Sequence, residues 1–157
     1  MVRLKVTGFT ITELIVVILL VSIVSVYAVS RYFGTSGFSP FVAQEQVISV
    51  IRQVQVNRMQ SNIDIDAVVG NSNFSLRLLN DCIGSQAACA ERNQSRSDWV
   101  VIEDVTFTSN VGDLVNFDLL GSPSDVVAPV LIEMRSTDGT CAGVEINAIG
   151  YVSPRGC

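Results

Sequence analysis

The stretch whose reading decides the fold is residues 1–30, MVRLKVTGFTITELIVVILLVSIVSVYAVS. A short basic leader with Arg3 and Lys5 ends at Gly8, and from Leu14 to Val29 the side chains are almost all apolar. Between the two stands Glu13, one carboxylate at the mouth of a segment of membrane length. An acidic group there costs on the order of 2.5–3.5 kcal/mol by insertion scales, so a partner for it is expected. The pattern predicts continuous helix from Phe9 to Phe33, which at 1.5 Å per residue would cross a hydrocarbon core of about 30 Å.

Three plainer readings compete for the same residues. One is a secretory signal peptide cut behind the small-residue site Val26-Tyr27-Ala28, but Glu13 interrupts the approach to its apolar centre. Another is an unprocessed single-span anchor. The third is a buried core helix, which the uniform apolarity on every face disfavours in a domain this size.

Gly8, Phe9, Thr10, Ile11, Glu13 and Leu14 resemble the leader junction of the type IV pilin family, the pilins and pseudopilins of type IV pili and type II secretion. Members carry a short charged leader, then Gly, then Phe-Thr-apolar-x-Glu-Leu and a hydrophobic run. Here Thr7 replaces the usual Lys or Arg and Thr12 the usual apolar residue, leaving the Gly8-Phe9 junction and Glu13 in place. The resemblance implies cleavage after Gly8 by a prepilin peptidase and N-methylation at Phe9. It also implies pairing of the Glu13 carboxylate with the terminal ammonium of a neighbouring subunit. The implied partners are other pilin subunits, the peptidase, an inner-membrane assembly platform, and membrane lipid before assembly. The implied location is the inner membrane of a Gram-negative bacterium with a periplasmic head, then the pilus at the cell surface.

The pairing has a physical basis of its own. A carboxylate among hydrocarbon gains far more from an opposite charge than the same pair gains in water. A helix N-terminus adds free N–H donors and the positive end of its dipole. Phe9 and Glu13 are four apart, so pairing within one helix is the competing geometry.

Composition narrows the function. The chain has 10 basic and 15 acidic residues and no His. Loss of residues 1–8 leaves 8 basic against 15 acidic side chains, or −7, so nucleic-acid binding is not expected. Cys82, Cys89, Cys141 and Cys157 form an even set and read as two disulfides of an exported domain. Three connectivities are open; Cys82–Cys89 with Cys141–Cys157 closes the shortest loops and is the expected one. Without His or a Cys-x-x-Cys pair, zinc would need all four sulfurs, so neither metal nor cofactor is expected. The missing His also removes the commonest general base, and Glu103 and Asp104, as sequence neighbours, point apart; no enzyme activity is expected.

Along the chain, Gly34 to Ser39 reads as a joint, and Pro40 opens a helix to about Asn62. Val47, Ile51 and Val54 form its apolar stripe, with Ile48 and Met59 flanking it. Arg52 and Arg58 read as a solvated face in preference to partner contacts. Asp64 and Asp66 read as a turn in preference to a calcium site. Short strands are predicted at 74–78, 99–102, 105–107, 115–120, 130–136 and 144–152, with cysteine-bearing residues 81–90 as a loop. Trp99 reads as core, and the wholly polar Glu91–Asp98 as the exposed tip.

The expected architecture is α+β: a long N-terminal helix, half transmembrane and half amphipathic, packed on an antiparallel β-sheet head, as in type IV pilins. Its parts are a leader (1–8), a transmembrane and assembly helix (9–33), a joint with amphipathic helix (34–62) and a β-rich periplasmic head (63–157). Phe117-Asp118, Gly121-Ser122-Pro123 and Ile149-Gly150-Tyr151 are similar to the head of the subgroup that includes type II secretion pseudopilin H. Ala43–Gln46 and Asn57–Asn62 are similar to minor prepilins of the mannose-sensitive haemagglutinin pilus.

Overall fold

The structure, a computed structural model, describes residues 10–32, 39–61, 63 and 72–157, with side chains from 10–25, 40–61, 63 and 72–157. Gly8, Phe9, the joint at 34–38, Asp64 and Asp66 lie outside the described residues. The chain divides into two compact units, Met1–Thr35 and Ser36–Cys157.

The first unit holds helix α1, Ile11–Tyr32. Among the described residues no helix is long and apolar enough to cross a membrane, which corrects the expected transmembrane half.

That helix, α2, runs Ser39–Gln60. Pro40 sits in its first turn, where the missing N–H costs nothing. Val47, Ile51 and Val54 are fully buried and Ile48 nearly so, as the stripe predicts, whereas Met59 is half exposed. Ser61 ends the helix: its N–H and its hydroxyl both donate to the Arg58 carbonyl, at 3.1 and 2.7 Å.

The head contains two four-stranded sheets, not the single expected one, and every pairing is antiparallel. The strands are β1 (Ser75–Leu78), β2 (Ile83–Ser85), β3 (Trp99–Val100), β4 (Val105–Ser109), β5 (Leu114–Asn116), β6 (Val130–Ser136), β7 (Cys141–Ile146) and β8 (Val152–Arg155). The first sheet has the order β3-β2-β1-β5 and the second β4-β6-β7-β8. Helix α2 packs on strands of both, and one apolar core runs between, through Leu76, Ile83, Phe107, Val115, Phe117, Ile132, Met134 and Ile146. The alternation Val130-Ile132-Met134 inward against Leu131-Glu133-Arg135 explains the register of β6 on β7.

The predicted cysteine loop is instead β2 and a short helix α3, Gln86–Glu91. The Ser85 hydroxyl accepts from the Ala88 N–H at 3.1 Å and starts α3. Arg92 closes it in the left-handed region, φ +49°, with its N–H on the Ala88 carbonyl. Cys82–Cys89 joins β2's entry to α3, and Cys141–Cys157 ties the start of β7 to the residue after Gly156. This is the shortest-loop connectivity, and no described cysteine is free. Replacing both Cys141 and Cys157 by Ser should lower head stability by about 3 kcal/mol, read as a shift in urea midpoint, with β8 the first strand to lose amide-exchange protection.

Candidate functional site

Two regions carry the candidate chemistry. On α1, the Thr10 hydroxyl oxygen accepts from the Glu13 N–H at 3.2 Å and the Thr10 carbonyl accepts from Leu14 N–H. Thr10 therefore caps the helix, and Thr10-Ile11-Thr12-Glu13 forms the first half of a capping box. That spacing is legible in the sequence, where the same residues also carry the resemblance at the leader junction. Glu13 lies exposed in the first turn, where free amides and the helix dipole favour a negative group. The apolar side chains from Leu14 to Val24 are about half exposed or more on every face. The hydroxyls of Ser22 and of the next residue after this span, Ser25, turn inward: Ser22 Oγ donates to Ile18 O and Ser25 Oγ to Val21 O, both at 2.7 Å. From Leu14 to Ser25 the helix therefore offers a nearly pure hydrocarbon surface, with one carboxylate, Glu13, just before it.

In the head, polar side chains of α2 hold distant backbone. Arg58, expected on a solvated face, is fully buried. Its Nε donates to Phe117 O at 3.0 Å, and its Nη1 to Ser61 Oγ at 2.8 Å and Ile63 O at 3.0 Å, while Nη2 has no partner among the described residues. Residues 47, 51, 54 and 58 share one helical face, so the periodicity that marked the stripe also pointed to Arg58. Arg52 donates from Nη2 to Val152 O at 3.0 Å. Gln44 donates to Gly143 O at 2.6 Å and Arg155 O at 2.9 Å.

Gln55 is the most consequential of these. Its Nε2 donates to Gly121 O at 2.8 Å and Gly150 O at 2.7 Å, clamping two turns together. Each turn is braced by its own side chain: Asp118 Oδ1 accepts from Leu120 and Ser122 N–H, and Asn147 Oδ1 from Ile149 and Tyr151 N–H. The tips carry aliphatic groups into solvent, Leu120 at 78% exposure and Ile149 at 77%, with Leu119 and Tyr151 beside them.

The polar loop at 91–98 is exposed from Glu91 to Ser95 but anchored at its end. Arg96 Nη2 pairs with Asp98 Oδ2 at 2.7 Å, and the Ser85 hydroxyl donates to the same oxygen at 2.5 Å. Trp99 is half-buried, its Nε1 donating to Asn93 O at 3.2 Å. Burial pushes the Asp98 carboxyl up, but the hydrogen bonds from Arg96 and Ser85 and the guanidinium charge together hold it below its ordinary range. A lowered folded pKa means that this group's stabilisation is present above the unfolded value of about 3.9 and is lost as pH falls through the folded one. Asp98→Asn should cost about 1–3 kcal/mol at neutral pH and flatten the acid limb of the stability curve, checked by urea unfolding between about pH 7 and pH 3.

Glu133 stands near the sulfurs of Cys141 and Cys157, but these are bonded to each other and offer no thiolate. A half-open cavity of about 210 Å³ lies between the sheets, floored by Ile83, Phe107 and Ile132 and rimmed by Asn80, Thr108 and Asp113. It is below the roughly 300–1,000 Å³ usual for small-molecule sites.

No protein-family model, curated protein or solved structure matches the chain.

Proposed function

We propose that the chain is a filament subunit of the type IV pilin class, with α1 as its assembly element and the head as the part that selects neighbours. The observation that carries this reading is Glu13 at the capped start of a helix whose apolar side chains are exposed all round. Such a surface has no use for a lone domain, and packing against like helices covers it by close van der Waals contact. The Gly8-Phe9 junction supplies the remaining part: cleavage there creates an ammonium, methylated at Phe9, for the Glu13 carboxylate of a neighbour.

More particularly, residues 43–46 and 57–62 favour a minor prepilin of the mannose-sensitive haemagglutinin kind, taking part in assembly or priming and acting as a structural subunit, not an enzyme. The disulfides fit an oxidising compartment outside the cytoplasm. One observation favours a type II secretion pseudopilin instead: Gly121-Ser122-Pro123 and Ile149-Gly150-Tyr151, the two segments similar to the pseudopilin H head, meet in space. Deleting the gene separates the two, since one loses fimbriae and the other loses protein secretion.

The test of the class is the intact mass and N-terminal residue of the full chain, expressed with and without a prepilin peptidase. Peptidase-dependent loss of residues 1–8 with a methylated Phe9 is the expected result. Cleavage near Ala28, or none, would sink the reading. With processing established, Glu13→Ala should reduce incorporation about tenfold or more, because each subunit forfeits a charge pair worth at least ~1.4 kcal/mol. Normal filament levels in that variant would remove Glu13 from the mechanism.

A further inference from the structure

We propose that the Cys141–Cys157 disulfide gates a metal site. Once a reductant opens it, the two thiolates and the Glu133 carboxylate together take one zinc ion, which ties β7 to the segment after β8 in place of the bond.

The three groups are already gathered. Both sulfurs and a Glu133 carboxylate oxygen lie within 4.8 Å of one another. Tetrahedral zinc asks for little more, since bonds of about 2.3 Å to sulfur and about 2.1 Å to oxygen set ligands about 3.6–3.8 Å apart. Strand register explains the placing. Glu133 on β6 faces Gly143 on β7, and Arg135 faces Cys141, so Glu133 and Cys141 stand diagonally on one face of the sheet. Gly143 flanks both and puts no side chain in the way. A Cβ there would lie 2.9 Å from the Arg155 side chain and 3.2 Å from the Gly156 carbonyl. Glycine is therefore what lets the chain beyond β8 settle on this face and bring Cys157 to the other two. Two ligands stand on paired strands, which hold a site more firmly than loops do.

The two disulfides differ in exposure. Cys82 and Cys89 are 0% and 4% exposed, whereas Cys157 is exposed and Cys141 half-buried. Thiol exchange needs access to a sulfur, so a dithiol reaches the second bond and not the first. Its thiolate attacks the Cys157 sulfur, the S–S bond breaks and Cys141 leaves as a thiolate. The dithiol's other sulfur then displaces Cys157 and closes its own disulfide, so two electrons pass to the protein. Zinc keeps both cysteines as thiolates and sends their protons to solvent. Thiolates select zinc over magnesium or calcium, and three protein ligands leave the fourth position to water. Arg135, 3.6 Å from the Glu133 carboxylate, competes for it only as an exposed pair of little worth. The site stands on the head alone and holds whether or not α1 builds a filament.

The test uses the full chain in detergent solution without oxygen, treated with a phosphine reductant, which takes its oxygen from water and adds no competing thiol. Alkylation and peptide mass mapping should find Cys141 and Cys157 labelled and Cys82–Cys89 intact. Equilibrium dialysis should then find one zinc per reduced chain and none on the oxidised chain. Amide exchange in β8, sped up by reduction, should slow again when zinc is added. Cobalt(II) in place of zinc should show the charge-transfer absorption of thiolate ligation. Glu133→Gln, at a partly exposed position, should leave the labelling pattern unchanged and weaken zinc about tenfold or more. Labelling of Cys82 and Cys89 ahead of the other pair, or no zinc uptake after reduction, overturns the proposal. So does uptake that Glu133→Gln does not weaken, or that persists when Cys141 and Cys157 are both replaced by Ser.

Discussion

Arg58→Ala lowers the stability of the head by about 4 kcal/mol, the largest loss expected of any surface-charge-type residue in the chain. The side chain is fully buried, and removing it takes the donor from the Phe117 and Ile63 carbonyls at once, while the Ser61 hydroxyl keeps its bond to the Arg58 carbonyl. Each buried group left without a donor costs about 1–3 kcal/mol, and truncating a long buried stem adds a cavity term of similar size. One effect opposes these. Arg58 buries a charge whose Nη2 has no partner among the described residues, and relief of that desolvation returns part of the loss. Arg58→Met isolates the balance, because it keeps the stem's volume and removes only the guanidinium. It should cost about 1–2 kcal/mol. Urea unfolding of both variants measures the difference. An Arg58→Ala head within about 0.5 kcal/mol of the parent would mean that the residue behaves as an exposed one.

Gly150→Ala should destabilise the head by about 3 kcal/mol for a different reason. Gly150 has φ +83°, and a Cβ built there meets the Gly121 carbonyl. The left-handed conformation alone costs a non-glycine residue about 1–2 kcal/mol, and the overlap is with backbone, which cannot swing aside. The turns would have to part, pulling Gly121 and Gly150 from their shared donor on Gln55. Gln55→Ala removes the clamp without the overlap and should cost less, about 1–2 kcal/mol. Thermal unfolding should therefore rank Gly150→Ala below Gln55→Ala. The reverse order would show that the turns are held apart from one another by something other than contact.

The sequence spoke most clearly where one periodicity dominated. The stripe Val47, Ile51 and Val54 and the alternation through β6 each belong to a single face that is buried on one side only. The short loops of the cysteines likewise pointed to their pairing. Division of the strands into two sheets was not legible, because it rests on which edges meet, and β2 is three residues with a central glycine that carries no side-chain pattern. Gly84 is there for closeness: a Cβ would lie 2.5 Å from the Asp98 carbonyl and Trp99. Arg58 was misplaced because charge was weighed above position on the stripe, and its acceptors are carbonyls, which no sequence pattern marks. On α1, Glu13 and the apolar run were plain, whereas among the described residues no helix is long and apolar enough for the membrane crossing that the residues suggested.

The inward-turned hydroxyls of Ser22 and Ser25 have a mechanical meaning. With both spent on the carbonyl one turn back, the stretch from Leu14 to Ser25 gives a neighbour nothing to grip but shape. In the filament we propose, helices so smooth would rotate and slide past one another at little cost, and the single peg at the start of each, Glu13, would set where it stops.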